Sequence, residues 1–184
     1  MTSSNKLAAF MHQKIDMLDK NEPYSVAACA KLRRAIGKPL CDVPEAWEII
    51  LSYDEGMGDK EILSAYTAIT LYALHRQGKQ ASMNTEKVGF GTAVAKLVTD
   101  KNQLEPIKRR FNAVATAEGF AELAYHARGL VQLMKAKDIE MDYPKFAIDL
   151  FFFQFPENAG KIRLRWGEEF YRYTQKNNND KENK

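Results

Sequence analysis

The sequence predicts an all-α fold built as two packed helical parts, the C-terminal one a helical bundle. Three observations carry this. Apolar side chains recur at three- and four-residue spacing along almost the whole chain, which is the mark of amphipathic helix faces. One segment, Glu61–Gln77, is apolar nearly all round, as the central helix of a bundle is. No alternating strand pairs joined by hairpin turns occur, and no internal repeat.

The elements follow in order. Lys6–Leu18 carries Leu7, Phe10, Met11, Ile15 and Leu18 at helical spacing, and Asn21-Glu-Pro23 breaks the run. Tyr24–Ile36 is predicted to set Val26, Cys29, Ala30 and Ile36 on one face, with Gly37 and Pro39 ending it. Asp42-Val-Pro44 opens a third helix with Pro44 near its first turn. Ser52–Lys60 is a polar loop before the central segment. Gly78–Val88 is the longest polar stretch inside the chain and is expected to be a mobile loop. It divides the chain into residues 1–88 and 89–176, with a disordered polar tail at 177–184. Gly89-Phe-Gly91 leads into a short helix, Thr92–Val98. Pro106 is expected to open a helix through Ala117 that Gly119 ends. Phe120–Lys135 is strongly periodic. Asp142-Tyr-Pro144 starts a Phe-rich helix. Pro156 starts the last, with Ala159, Ile162, Trp166, Phe170 and Tyr173 on one face.

The 184 residues are 45% hydrophobic and 28% charged, a globular composition that excludes a disordered chain, a collagen-like fibre and a disulfide scaffold. The net charge is only +3, but it is segregated. Residues 42–61 hold seven acids and one base, and 101–137 hold seven bases and three acids. Segregated charge suggests docking surfaces. The polar N-terminus does not read as a signal peptide. The most apolar stretch, Phe146–Phe155, contains Asp149 and is far short of a membrane span. A soluble, cytoplasmic protein with no membrane partner is expected. Cys29 and Cys41 match no zinc pattern and read as ordinary core thiols.

Catalytic patterns are lacking. His12, His75 and His126 lie far apart, and the two short glycine pairs, Gly56-Met-Gly58 and Gly89-Phe-Gly91, follow no strand and precede no Gly-Lys-Ser/Thr. Serines lack a nucleophile-elbow context, and the acids of 42–61 lack the Asp-x-Asp-x-Asp-Gly order of a metal loop. Glu168 and Glu169 diverge by about 100° on a helix. No enzyme, cofactor or metal is expected. His75 and His126 lie near basic positions and would join an anion-binding surface if protonated.

The basic residues are more informative. Around the Pro106 helix, Arg109 points away from the face of Ile107, Phe111 and Val114, and Arg110 borders it. On Phe120–Lys135 one flank carries Tyr125, Arg128, Gln132 and Lys135, the donors that position a phosphate backbone. Tyr125 could stack on a base, but packing is the first expectation for it. On the last helix Lys161, Arg165 and Arg172 share the outer face. Arg33 falls on the predicted apolar face while Arg34 points to the flank. A charge there needs a partner, either a structural salt bridge or a cleft between the two halves.

In order, the chain carries Leu32-Arg-Arg34 with Pro39 and Pro44; Leu71-Tyr-Ala-Leu-His-Arg76; Gly89-Phe-Gly91; Arg109-Arg-Phe111; Glu122-Leu and His126-Ala-Arg-Gly-Leu-Val131; Met141-Asp-Tyr143; and Trp166 with Phe170-Tyr171. This ordered set resembles the CasB family, the small subunit of the type I-E CRISPR Cascade complex, from about Leu7 to Tyr173. The resemblance implies a non-catalytic all-α protein of two helical parts. It implies a head-to-tail pair with a second copy, contacts to the crRNA-bound backbone subunits and the large subunit, and basic residues guiding the displaced non-target DNA strand. Carried over residue by residue, it points to Arg33, Arg34, Arg109, Arg110 and Arg128, and less securely to Lys161 and Arg163. Thr116 and Gly119 stand where some relatives are basic, which shifts weight toward Lys101, Lys108 and Lys135. The expected function is backbone binding that stabilises the target-bound R-loop in antiviral defence. The alternative is a helical adaptor whose basic flanks dock acidic proteins.

Overall fold

Caps and prolines set where the helices begin. In the computed structural model, which describes residues 2–52 and 56–182 with side chains through Lys176, Thr2 accepts from the Asn5 N–H and opens α1 (Ser3–Asp19). Pro23 and Pro44 lie in the first turns of α2 (Pro23–Ala35) and α3 (Pro44–Ile50). The Glu61 carboxylate accepts from the Gly58 N–H at 2.5 Å where α4 (Asp59–His75) starts. Then come α5 (Phe90–Ala95), α6 (Lys101–Ala115), α7 (Phe120–Ala136), α8 (Tyr143–Phe153) and α9 (Pro156–Glu182). Among the described residues there is no strand, only an isolated bridge between Asn84 and Met141. The all-α expectation holds.

Four local readings are corrected. Pro106, expected to open its helix, lies inside α6, because Asp100 accepts from the Asn102 and Gln103 N–H groups and starts the helix earlier. On α2 the buried face is Ser25, Ala28, Cys29, Leu32 and Ala35, not one through Val26. The Ser25 hydroxyl donates to the Met17 carbonyl at 2.6 Å and fixes that rotation, which leaves Val26 exposed. Cys41 is exposed, whereas Cys29 is buried as expected. The 78–88 loop, expected to be mobile, is tied to the start of α8. Thr85 N–H donates to Met141 O at 3.2 Å, Met141 N–H to Met83 O at 3.2 Å, and Asp142 N–H to Val88 O at 2.8 Å. The expected tail falls on 177–184. Their side chains lie outside the described residues, as do Asp54 and Glu55 of the acidic segment.

α4 is buried on most sides, as its composition predicts, and packs against α1, α2, α7 and α8. The hydrophobic core therefore runs continuously through residues on both sides of the 78–88 loop. α5 lies on α9, and its glycines explain how closely. A Cβ on Gly89 would meet the Glu169 carboxylate, and one on Gly91 would meet the Trp166 carbonyl. The Gly91 N–H donates to Glu169 Oε2 at 3.1 Å, and Lys145 pairs with Glu169 Oε1 at 2.6 Å. Phe90 then sits 4.9 Å from Trp166 and 5.1 Å from Phe146. Asp149, the polar break in the Phe-rich stretch, is buried on α8. It accepts from Trp166 Nε1 at 2.7 Å and pairs with Arg165, so α8 and α9 are joined by a satisfied buried carboxylate.

These contacts predict opposite signs for two glycine substitutions. Gly91→Ala forces α5 off α9 and destabilises the fold by about 1–3 kcal/mol. Gly167→Ala, where no atom lies within 4 Å of the added Cβ, stabilises α9 by about 0.5–1 kcal/mol. Urea titrations of both variants check this; two shifts of the same sign would contradict it.

Candidate nucleic-acid interface

α6 and α7 pack as neighbours, and the side chains left over from that packing build one groove. On α6, Ile107, Phe111 and Val114 face inward, so Arg109 and Arg110 are both exposed. On α7, Leu123, Ala127, Leu130, Val131 and Met134 are buried, which turns Tyr125, Arg128 and Gln132 outward. Arg109, Arg110, Tyr125, His126, Arg128 and Gln132 line a cavity of about 500 Å³, floored by Ala113 and Gly129. No ion pair among the described residues involves Arg109, Arg110 or Arg128. The carboxylate nearest the groove's ionisable groups is Glu122, 3.6 Å from His126 Nε2. Three guanidiniums with no carboxylate partner present a fork of donors to an anion.

The other expected residues separate from this groove. Arg33 is half-buried beside the α2 stripe rather than on it, because the stripe is rotated, and no ion pair among the described residues involves it. Arg34 is exposed in the last turn of α2. Lys135 is held toward α4, where it donates to Gln77 Oε1 at 2.8 Å. Lys161 is exposed on α9. Arg163 is clamped. Its Nη2 donates to the Ala117 carbonyl at 2.6 Å, and its guanidinium lies 5.0 Å from the Phe153 ring centre, so it joins α9 to the end of α6.

Tyr125 is the clearest departure from expectation. Packing is the first expectation for it, yet it is 73% exposed and its ring meets His126 edge-on at 5.3 Å. His75, an anion-binding candidate by its basic neighbours, is fully buried. Its Nδ1 lies 3.0 Å from the Tyr143 hydroxyl. Burial, only partly opposed by the Ile139 backbone, lowers its pKa to about 4. Beside it, buried Arg76 pairs with Asp19 at 3.0 Å and donates to Asn21 Oδ1 at 2.8 Å. This fastens the end of α4 to the turn after α1. The all-round apolar pattern of Glu61–Gln77 is the sequence signal that His75 and Arg76 are interior groups.

No group of three or more His, Cys, Asp or Glu side chains that would hold a metal occurs among the described residues. No helix among them is long and apolar enough to cross a membrane.

Comparisons with known proteins agree with this architecture. A family model described as CRISPR-associated protein Cse2 matches residues 28–171. The chain is similar to CasB from Thermobifida fusca at 28% identity and a TM-score of 0.76, over 91% of this chain and 97% of that one. It shares its fold with CasB from Thermus thermophilus, at 20% identity and a TM-score of 0.71 over 93% and 99% of the two chains. It also shares it with a chain of a CRISPR RNA-guided surveillance complex, at 18% identity and a TM-score of 0.77 over 97% and 99%. No curated protein matches.

The placement of His75 predicts an acid sensitivity. Its folded pKa of about 4 lies below the unfolded value of 6.5, so the unfolded chain binds the proton first. Stability from this site is complete above pH 6.5 and falls as pH drops toward 4. Between about pH 7 and about pH 5 the loss is about 2 kcal/mol. Urea unfolding at the two pH values measures it, and His75→Gln flattens the dependence by that amount. An equally steep profile in the variant would contradict this origin.

Proposed function

The chain belongs to the CRISPR-associated Cse2 family, and from that premise we propose that it is the non-catalytic small subunit of a type I-E Cascade complex. In this reading it binds nucleic acid through the backbone, without reading sequence, and stabilises the R-loop by holding the displaced non-target strand. The observation that carries the reading is the groove in which Arg109, Arg110 and Arg128 converge with no carboxylate partner among the described residues. Such side chains replace counterions condensed on the strand, and each phosphate contact steepens the salt dependence of binding. R-loop formation by RNA-guided complexes is a nearly balanced exchange of one duplex for another. A modest free energy from trapping the displaced strand therefore shifts it toward the open state.

The acidic segment suits protein neighbours. Asp42, Glu45 and Glu48 are exposed around Trp47 on and before α3. Like charge repels a phosphate backbone from that face, and an exposed aromatic among acids suits a basic protein surface. We assign it to the crRNA-bound backbone subunits, the large subunit or a second copy of this chain. Glu61 is excluded from that surface, since it is buried at the start of α4.

Replacing Arg110 and Arg128 together by Ala is expected to preserve helicity, since both are exposed. It is expected to weaken binding to single-stranded DNA of any sequence. The salt slope is expected to fall by about 1.4, which is about 0.7 for each phosphate that an arginine no longer neutralises. Fluorescence-anisotropy titrations at several salt concentrations measure both. Unchanged affinity and slope would overturn the assignment of the groove.

A further inference from the structure

The groove has a continuation that backbone binding leaves unused. Behind Tyr125 and Arg128 a second cavity of about 570 Å³ opens between the end of α2, the side of α4 and the start of α7. Both side chains line both cavities, so the two are neighbours that meet at Tyr125 and Arg128. The walls differ. The outer groove is lined by guanidiniums, whereas the inner cleft is mostly apolar, with Ile36, Leu63, Leu71 and Phe120 beside Thr67 and Lys38. Leu63 is 40% exposed although it lies on the central helix. Gly37 turns the chain at φ +75° at one edge of the cleft, and the Tyr66 hydroxyl, 2.7 Å from the Ala35 carbonyl and 3.0 Å from the Lys38 carbonyl, ties the end of α2 to α4. Its volume falls in the roughly 300–1,000 Å³ range of small-ligand sites.

We propose that this cleft receives an unpaired nucleobase from a strand whose backbone lies in the basic groove, with Tyr125 stacking on the base where the two cavities meet. The inference rests on the backbone-binding reading above and adds a requirement to it. The chemistry selects the occupant. Leu63, Leu71 and Phe120 offer a phosphate no donor, so an anion finds its partners at Lys38 and Arg128 and leaves the apolar walls unused. A base has an apolar face for those walls and polar edges for Thr67. Arg128, shared by both cavities, is placed to hold the phosphate whose base turns inward. A duplex keeps its bases paired and stacked, so the cleft favours single strands.

The test compares a thymidine oligomer with a strand of the same length made of abasic sugar-phosphate, titrated against the full chain at low salt. Wild type is expected to bind the thymidine strand about 5- to 150-fold more tightly, the range of one aromatic–base stack. Tyr125→Ala, at an exposed position, and Ala121→Leu, which narrows the cleft without adding charge or an aromatic ring, are expected to lower thymidine binding toward the abasic level. Abasic binding is unchanged in Ala121→Leu, and Tyr125→Phe retains the preference. Equal binding of the two strands by wild type would overturn the base site while leaving the backbone reading standing. Binding of neither strand would overturn both. If Ala121→Leu leaves the base preference intact but changes the sedimentation mass, the cleft seats a second copy of the chain and the proposal fails.

Discussion

The close approach of α5 to α9 is the contact on which the position of the basic groove depends. Two glycines permit it, since a side chain at either would collide with Glu169 or the Trp166 carbonyl. Once α5 is seated, Phe90 joins Trp166 and Phe146. Phe111 stacks on Phe170 with ring centres 4.8 Å apart, bringing α6 onto the same helix. Arg109 and Arg110 immediately precede Phe111 in sequence, so the aromatic stack that orients Phe111 also fixes the direction of the two guanidiniums. Arg163 closes the frame from the other side by donating to Ala117 at the end of α6. The groove is thus a surface consequence of a packing constraint.

Charge is distributed by the same logic. Cations that join helices in the interior are matched. Arg76 pairs with Asp19, Lys145 with Glu169, and Arg165 with Asp149. Burial raises the Asp149 carboxyl, while Arg165 and the Trp166 indole oppose the shift. Arg76 and Arg165 are therefore neutralised by carboxylates and Arg163 is held by a carbonyl and a ring, whereas none of the groove arginines has an ion pair among the described residues. This separation between paired and free guanidiniums distinguishes a scaffold charge from a binding charge better than net charge does.

Much of this is legible in the sequence. Apolar spacing places α1, α4, α7 and α9, and Pro23, Pro44, Pro144 and Pro156 mark four starts within a residue or two. The outward turn of Arg109 and Arg128 follows from the same wheels. What escapes has physical reasons. The rotation of α2 depends on a hydrogen bond from Ser25 to a different helix, and the early start of α6 on the Asp100 cap. Periodicity reports neither of these. The wheel puts Tyr125 on the polar flank, but an aromatic there is as ready to pack as to stand free, and only the packed neighbours show that it is 73% exposed. The inner cleft is made by three segments distant in sequence, so no local pattern announces it. Arg163 carries the same formal charge as Arg110, and only the Ala117 carbonyl and the Phe153 ring separate their roles.

The most direct measurement is the lifetime of the R-loop formed on a target duplex by the complete surveillance complex carrying this chain with Arg109, Arg110 and Arg128 all changed to Glu. The variant is predicted to assemble normally, to shorten that lifetime and to leave the displaced strand reactive to single-strand probes. An unchanged lifetime in a fully assembled complex would contradict the claim that this groove holds the strand.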